Sequence, residues 1–147
     1  MTLSATPPPP ALAPTPGSIP ESICSLTKLQ GLYLDQNSLT GKIPSCITQL
    51  TALEDVRLWN NQLTGNIPDN IGALPNLETF IVNHNNLVGT IPSSFGNLDK
   101  VTYIALNHNS MTGRLPTSLG SLTGSMAPNT ASGFLGGQLC VHACVLS

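Results

Sequence analysis

The fold is decided by the stretch Leu58-Trp59-Asn60-Asn61-Gln62-Leu63-Thr64-Gly65-Asn66-Ile67-Pro68, because its pattern recurs along the chain at a fixed interval. A similar stretch, Leu34 to Pro44, comes 24 residues earlier. The glycine keeps this step at Gly17, Gly41, Gly65, Gly89 and Gly113, and the proline keeps it at Pro20, Pro44, Pro68, Pro92 and Pro116. A fixed period of this length is typical of a solenoid, in which each unit stacks on the next.

Each unit also contains a pair of apolar residues two positions apart, which is the spacing that places both side chains on one face of a strand. These pairs are Leu32 and Leu34, Val56 and Leu58, Phe80 and Val82, and Ile104 and Leu106. A single unit cannot bury such a face, whereas stacked units share one continuous core. The sequence therefore predicts short strands near residues 31–34, 55–58, 79–82 and 103–106, with helical or 3₁₀ turns near Pro20–Leu26 and its repeats.

The repeated motif Leu-x-x-Leu-x-Leu-x-x-Asn-x-Leu-Thr-Gly-x-Ile-Pro resembles the plant-type subclass of extracellular leucine-rich repeats. That subclass is found in receptor-like kinases, receptor-like proteins and polygalacturonase-inhibiting proteins. The resemblance implies an α/β repeat solenoid, a right-handed superhelix with a parallel sheet on the concave face and short helical or 3₁₀ turns on the convex side. It also implies an extracellular or cell-surface location.

The repeats occupy residues 17–124, and both flanking segments depart from the pattern. Residues 1–16 are rich in proline and are predicted to form a disordered linker. Residues 125–147 are predicted to form a degenerate last coil with a C-terminal cap or tail. The first residues have neither the basic nor the apolar region of a signal peptide, so a cytoplasmic chain or a fragment of a longer protein remains an alternative.

Composition excludes several classes of partner. Charged residues make up 8 % of the chain, the net charge is −2, and there is no basic run. Nucleic-acid binding requires clustered Lys and Arg, so nucleic acid is not expected as a partner. No apolar run has the length needed to span a bilayer, so no membrane insertion by this segment is expected.

One column of asparagines has a structural interpretation: Asn37, Asn61, Asn85 and Asn109. An amide side chain that turns inward at the end of a strand can donate to and accept from backbone groups of its own and neighbouring coils. We therefore predict a ladder in which these buried polar groups satisfy one another.

The four cysteines give two candidate pairs. Cys24 and Cys46 lie in adjacent coils but two positions out of phase, and two small, partly buried thiols are favoured over a bridge. Cys140 and Cys144 are similar to the terminal cysteine pair that closes many arrays of the family, which makes them a candidate disulfide. No cofactor is expected, and His84 and His108 share a column without the further ligands that a metal site requires, so no metal is predicted.

Catalysis is not predicted either. Glu54 and Asp55 are adjacent in sequence and therefore point to opposite sides of a strand. No serine is paired in the repeat pattern with both a histidine and an acid. The sequence thus favours a non-enzymatic protein.

The outward positions of the strands carry the functional prediction, a recognition module that binds a protein, a peptide or a cell-wall polysaccharide. Tyr, Trp and Arg are enriched in binding hot spots, and the only tryptophan and both tyrosines fall on this face. The predicted ligand-binding residues on the concave face are Tyr33, Asp35, Asp55, Arg57, Trp59, Ile81, Asn83, His84, Tyr103, Asn107 and His108.

Two alternatives come from different classes. The first is an ice-binding solenoid, since Thr40, Thr64 and Thr112 share a column, although Val88 interrupts it. The second is a truncated structural remnant with no ligand.

Overall fold

The computed structural model describes residues 17–121 and a short strand at Gln138–Cys140. The predicted Pro-rich linker lies outside the described residues, as does Cys144 with the predicted Cys140–Cys144 pair. Most of the predicted C-terminal cap also lies outside them.

A parallel sheet runs through the repeats, as the sequence predicts. The strands of the protein, in chain order, are β1 (Gly31–Tyr33), β2 (Asp55–Arg57), β3 (Thr64–Gly65), β4 (Thr79–Ile81), β5 (Asn86–Leu87), β6 (Tyr103–Ala105) and β7 (Gln138–Cys140). The main sheet has the order β1-β2-β4-β6-β7. The first three pairings keep the 24-residue register, for example Leu32 opposite Val56 and Phe80 opposite Ile104. The predicted strand positions are confirmed to within one residue.

The last pairing of the main sheet departs from the repeat. In β7, Gln138 lies opposite Tyr103 of β6, a step of 35 residues instead of 24. The positions in phase with β6 are 127–129, so the strand forms 11 residues later than the repeat would place it.

A second, two-stranded parallel sheet on the flank was not predicted. It pairs β3 with β5, and isolated bridges join Ser18 to Thr40 and Lys42 to Thr64. Gly41 and Gly65, which follow these two threonines, have positive φ values of 76° and 75°. Glycine takes this conformation without steric cost, which explains the glycine of the motif.

Short 3₁₀ turns form the opposite side of each coil, as predicted. They span Glu21–Ser25, Ser45–Gln49, Ile71–Ala73, Ser93–Asn97 and Thr117–Ser121. Proline directly precedes the first, second, fourth and fifth turns, where its fixed φ suits the start of a helix. The second, third and fourth turns each direct one large apolar side chain into the core, whereas the first turn buries none.

The core lies between the main sheet and the 3₁₀ turns. Ile47, Val56 and Phe80 have no exposed surface, and Phe80 packs edge-on against Phe95 with ring centroids 5.6 Å apart. Because the same columns supply the core in every coil, the apolar interior is continuous along the stack.

The asparagine column forms hydrogen bonds between coils. The Asn61 side-chain amide donates to the carbonyls of Leu34 and Leu58, and its oxygen accepts from the backbone N–H of Leu39 at 2.9 Å. Asn85 repeats this pattern one coil further along. Every buried side-chain polar atom among the described residues has a partner.

Asn37 departs from the predicted ladder. Its side chain is exposed, and its amide donates only to Leu34 and Asp35 of its own coil. No described coil precedes it, so it has no neighbour to bridge to within the described residues.

Asn61→Ala should lower the free energy of unfolding by about 1–3 kcal/mol, because it leaves buried backbone groups without partners. Chemical denaturation of the two proteins measures the difference. Asn37→Ala is the matched control, and its effect should be much smaller because Asn37 makes no bond between coils. Equal midpoints for wild type and Asn61→Ala would show that the ladder bonds are not stabilising.

Cys24 and Cys46 form a disulfide, so the prediction of two separate thiols is wrong. Their Cα atoms are 5.8 Å apart, which is within the range that a disulfide spans. The bridge joins the first 3₁₀ turn to the second, across 22 residues of sequence.

Among the described residues, no helix is long and apolar enough to cross a membrane.

Candidate functional site

The outward side chains of β1, β2, β4 and β6, with the residues that directly follow each strand, form the concave face. Alternation along each strand produces it, since the middle residue of each strand is buried and its neighbours are half-buried or exposed, except for Ala105, which is buried as well. The parallel register aligns these outward positions in columns, and neighbouring residues of one column are about 4.8 Å apart. All eleven predicted ligand-binding residues belong to this face.

Three predicted residues form one interacting group at the first coils. Arg57 donates from Nη2 to Asp55 Oδ2 at 2.7 Å, and its Nε donates to both carboxylate oxygens at 3.1 Å. The Arg57 guanidinium lies 5.2 Å from the centre of the Tyr33 ring, close enough for a cation–π contact. The Tyr33 ring also lies over Gly31, where any side chain would collide with it.

Electrostatics in this group favour the charged form of the arginine. Its hydrogen bonds to Asp55, and then the charge of that carboxylate, raise the pKa of Arg57 above its ordinary value. The ion pair is nevertheless open to solvent, with the Arg57 side chain 46 % exposed, so it holds the two groups in position and adds little stability. Its use is geometric, because it fixes which way the guanidinium points.

Trp59 lies in the next column, between Asp35 of the preceding coil and Asn83 of the following one. It is half-buried, as are Asn83 and Asn107, so each presents part of its surface to solvent. Tryptophan that is anchored on one side and free on the other offers a flat apolar surface with a polar N–H. A ligand that lies along the stack would contact this column directly.

The residue after the Trp59 position bends the chain out of the sheet. Gln36, Asn60, His84 and His108 all have φ of 54° or 55°, a left-handed conformation. Asn and His tolerate this conformation better than most residues, and their side chains are exposed at the bend. The left-handed backbone at these four positions explains why the column consists of polar residues, and the spacing alone does not reveal this.

His84 and His108 stack on each other at this bend. Their ring centroids are 4.1 Å apart and their planes differ by 20°. Near-parallel stacked rings direct their nitrogens side by side, whereas two ligands of one metal converge on it. No group of three or more candidate ligands exists among residues 17–121, and we assign the pair to the surface of the concave face.

The threonine column on the flank does not form a regular array. Thr40 is half-buried, Thr64 is exposed and donates its hydroxyl to the Gly41 carbonyl, and Val88 is 43 % exposed in between. The positions required by the ice-binding alternative therefore differ in both exposure and chemistry.

Alternation along the strands predicted the membership of the concave face, but it did not predict its internal contacts. The Arg57–Asp55 ion pair, the Tyr33 ring above Gly31 and the His84–His108 stack were all missed. The Arg57–Asp55 ion pair could have been predicted from the sequence, since side chains two apart on a strand share a face.

A family model described as Leucine Rich Repeat matches residues 28–50, 52–74 and 76–98. Each match begins near a strand and ends within or just after the following 3₁₀ turn. No curated protein matches the chain.

Solved structures of plant receptors resemble this chain. The plant peptide hormone receptor RGFR1 in complex with RGF2 superposes with a TM-score of 0.71 and 40 % identity, over 72 % of this chain and 17 % of the receptor chain. The ectodomain of GASSHO1/SCHENGEN3 from Arabidopsis thaliana, in complex with CASPARIAN STRIP INTEGRITY FACTOR 2, gives 0.71 and 34 %, over 72 % and 13 %. The BIR3–SERK2 complex from Arabidopsis thaliana gives 0.67 and 38 %, over 70 % and 55 %. The chain thus spans less than a fifth of the first two relatives.

Proposed function

We propose that this chain, which belongs to the plant-type leucine-rich repeat family, is a non-catalytic recognition module that binds an extended peptide on its concave face. The observation that carries the proposal is the position of Trp59, half-exposed in the second of four coils and next to the fixed group of Tyr33, Arg57 and Asp55. Such residues concentrate binding energy when a partner excludes water from them.

The relatives support a peptide as the class of ligand. RGFR1 is described as a peptide hormone receptor in complex with RGF2, and HAESA from Arabidopsis was solved with the peptide hormone IDA and the co-receptor SERK1. This chain corresponds to only a fraction of those ectodomains, so the likeness supports the mode of binding and names no particular hormone.

The geometry favours a ligand that lies along the stack. Four strands about 4.8 Å apart give a face only about 15 Å long, which an extended peptide of roughly five residues would span. The ion pair and Trp59 lie together in the second coil, and the stacked histidines lie in the third and fourth coils. A peptide would therefore place an apolar side chain on Trp59 and a polar group toward the histidines.

The disulfide supports an extracellular location. Disulfides persist in oxidising compartments and are rare in cytosolic proteins. Cys24 and Cys46 are bonded in the first two coils, as a secreted chain would allow.

The test begins with the full chain immobilised and probed with a phage-displayed library of random peptides and, separately, with an array of cell-wall oligosaccharides. The tightest peptide is then synthesised and its dissociation constant measured by calorimetry. Trp59→Ala should weaken its binding by about 2 kcal/mol or more, roughly 30-fold, with the fold intact by circular dichroism.

Thr112→Ala on the flank is the control and should leave the dissociation constant unchanged. A peptide that tolerates Trp59→Ala while losing affinity on Thr112→Ala would transfer the binding site to the flank. If the chain binds oligosaccharides and selects no peptide from the library, the ligand is a glycan and the peptide proposal is wrong.

A further inference from the structure

Asn83 and Asn107 differ from the other asparagines of the described residues in the state of their side-chain amides. The amides of the ladder asparagines and of Asn76 are hydrogen-bonded. Asn83 and Asn107 are half-buried, yet neither amide is hydrogen-bonded to any residue that the structure describes. The remaining asparagines without a side-chain bond are all exposed: Asn60, Asn66, Asn70, Asn86 and Asn97.

The polar atoms of these two amides face solvent. Within residues 17–121 every buried side-chain polar atom has a partner, so the atoms of an unbonded amide must be in contact with water. The backbone below them is fixed, because the Asn83 carbonyl accepts from Asn60 N–H and the Asn107 carbonyl accepts from His84 N–H, both at 3.1 Å. A half-buried side chain on a fixed backbone loses less conformational freedom on binding than an exposed side chain does.

The concave face around the two amides contains no Asp, Glu, Lys or Arg. The residues two positions earlier in the same coils are Ile81 and Ala105, whose side chains have no polar group. The charged residues of the concave face all belong to the first two coils: Asp35, Asp55 and Arg57. The third and fourth coils therefore offer a ligand neutral hydrogen bonds and apolar contact.

A carboxamide side chain is complementary to the main chain of an extended peptide. It presents a donor and an acceptor side by side, and the N–H and C=O of one extended residue lie on the same edge of the chain. One amide can therefore bind one residue through two hydrogen bonds. Residues on the same edge of an extended peptide recur about every 6.8 Å, whereas neighbouring strands are about 4.8 Å apart, so each amide would swing outward by about 1 Å.

We propose that the side-chain amides of Asn83 and Asn107 bind the main chain of the peptide ligand, at two residues on one edge of that chain. This inference rests on the proposed function and divides the concave face into two parts. The coils of Arg57 and Trp59 select side chains of the ligand, whereas the third and fourth coils bind its main chain with any side chains. The two bonded residues of the ligand cannot be proline, which has no N–H to donate.

The test uses the full chain and the tightest peptide from the phage-displayed library, synthesised with each internal nitrogen methylated in turn. Methylation removes one main-chain donor and leaves every side chain in place. At two positions, two residues apart, it should weaken binding to wild type about 10-fold. The loss should be much smaller for the double variant Asn83→Ala/Asn107→Ala, because the partner of the methylated group is already missing.

The double variant should also bind the unmethylated peptide about 30-fold more weakly than wild type does. Its thermal midpoint should be unchanged, because neither amide is bonded within the described residues. Asn97→Ala, at an exposed asparagine of the fourth 3₁₀ turn, is the matched control and should leave the dissociation constant unchanged.

Three results would overturn the inference. If Trp59→Ala weakens the peptide and the double alanine variant does not, the main-chain assignment is wrong and the peptide proposal stands. Methylation that weakens binding equally in wild type and in the double variant has the same meaning. A library that yields no peptide, or a peptide that neither Trp59→Ala nor the double variant weakens, would overturn the proposed function as well.

Discussion

Replacing Cys24 and Cys46 together by serine should lower the free energy of unfolding by about 3 kcal/mol. The bridge closes a loop of 22 residues. A cross-link of that length restricts the unfolded chain by an amount that corresponds to roughly 3 kcal/mol at room temperature. This is a large share of the stability of an ordinary domain, which is about 5–15 kcal/mol.

The position of the bridge is the reason to expect the full loss in the free energy of unfolding. The first 3₁₀ turn buries no side chain, whereas the second buries Ile47. Ile23, which occupies the Ile47 column, is only partly buried because no described coil covers it. Within the described residues, the first turn therefore lacks the packing that fixes the following turns, and the covalent bond to the second turn is its strongest attachment.

Urea denaturation of the oxidised wild type and of the double serine variant measures the difference. The matched control replaces Ser22 and Ser45 by alanine, two exposed residues in the same two turns. That control should shift the midpoint little. A double cysteine variant as stable as wild type would mean that the first turn is held by packing after all.

The fold could be predicted because the 24-residue period determines the register of the main sheet. A step of 24 residues returns each chain position to the same place in the next strand, so the register of Leu32 with Val56 follows from counting. The apolar pairs then fix which face is buried. No long-range information beyond the repeat is needed for these two features.

The 24-residue step is not the only step between neighbouring coils. Outside the main sheet, close contacts also join residues 22 apart. The disulfide joins Cys24 to Cys46, the flank sheet pairs Thr64 with Asn86, and Gly72 N–H donates to Ser94 Oγ. The path of a coil through its turns is not perpendicular to the stack, so positions out of phase by two can lie side by side. This is why the cysteine offset was misread as evidence against a bridge.

The concave face shows a different limit. Which residues belong to the concave face depends on the alternation of side chains along each strand, and this alternation can be read from the sequence. Its contacts depend on side-chain rotamers, such as the one that places the Tyr33 ring over Gly31 and beside Arg57. The only sequence signal for that arrangement is the glycine two residues before Tyr33, on the same side of the same strand.

Gly72→Ala, on the convex side, should lower the free energy of unfolding by about 3 kcal/mol. A Cβ atom on Gly72 would collide with the backbone carbonyl oxygen of Ser94 in the next 3₁₀ turn. The Ser94 hydroxyl holds the two turns together, since it accepts from Gly72 N–H and donates to the Asp69 carbonyl at 2.5 Å. The two turns would have to separate, which would loosen the packing of Ile71 and Phe95 beneath them.

The control is Gly120→Ala, which lies in the same column as Gly72 and Gly96. A Cβ atom on Gly120 has no atom of the described residues within 4 Å, so alanine there should leave the denaturation midpoint nearly unchanged. Adding Ser94→Ala to Gly72→Ala separates two explanations. If the collision is with the backbone carbonyl, removing the serine hydroxyl cannot relieve it, and the double variant should be less stable than Gly72→Ala alone. A double variant that regains stability would show that the Ser94 side chain, and not the close approach of the two backbones, sets the requirement for glycine.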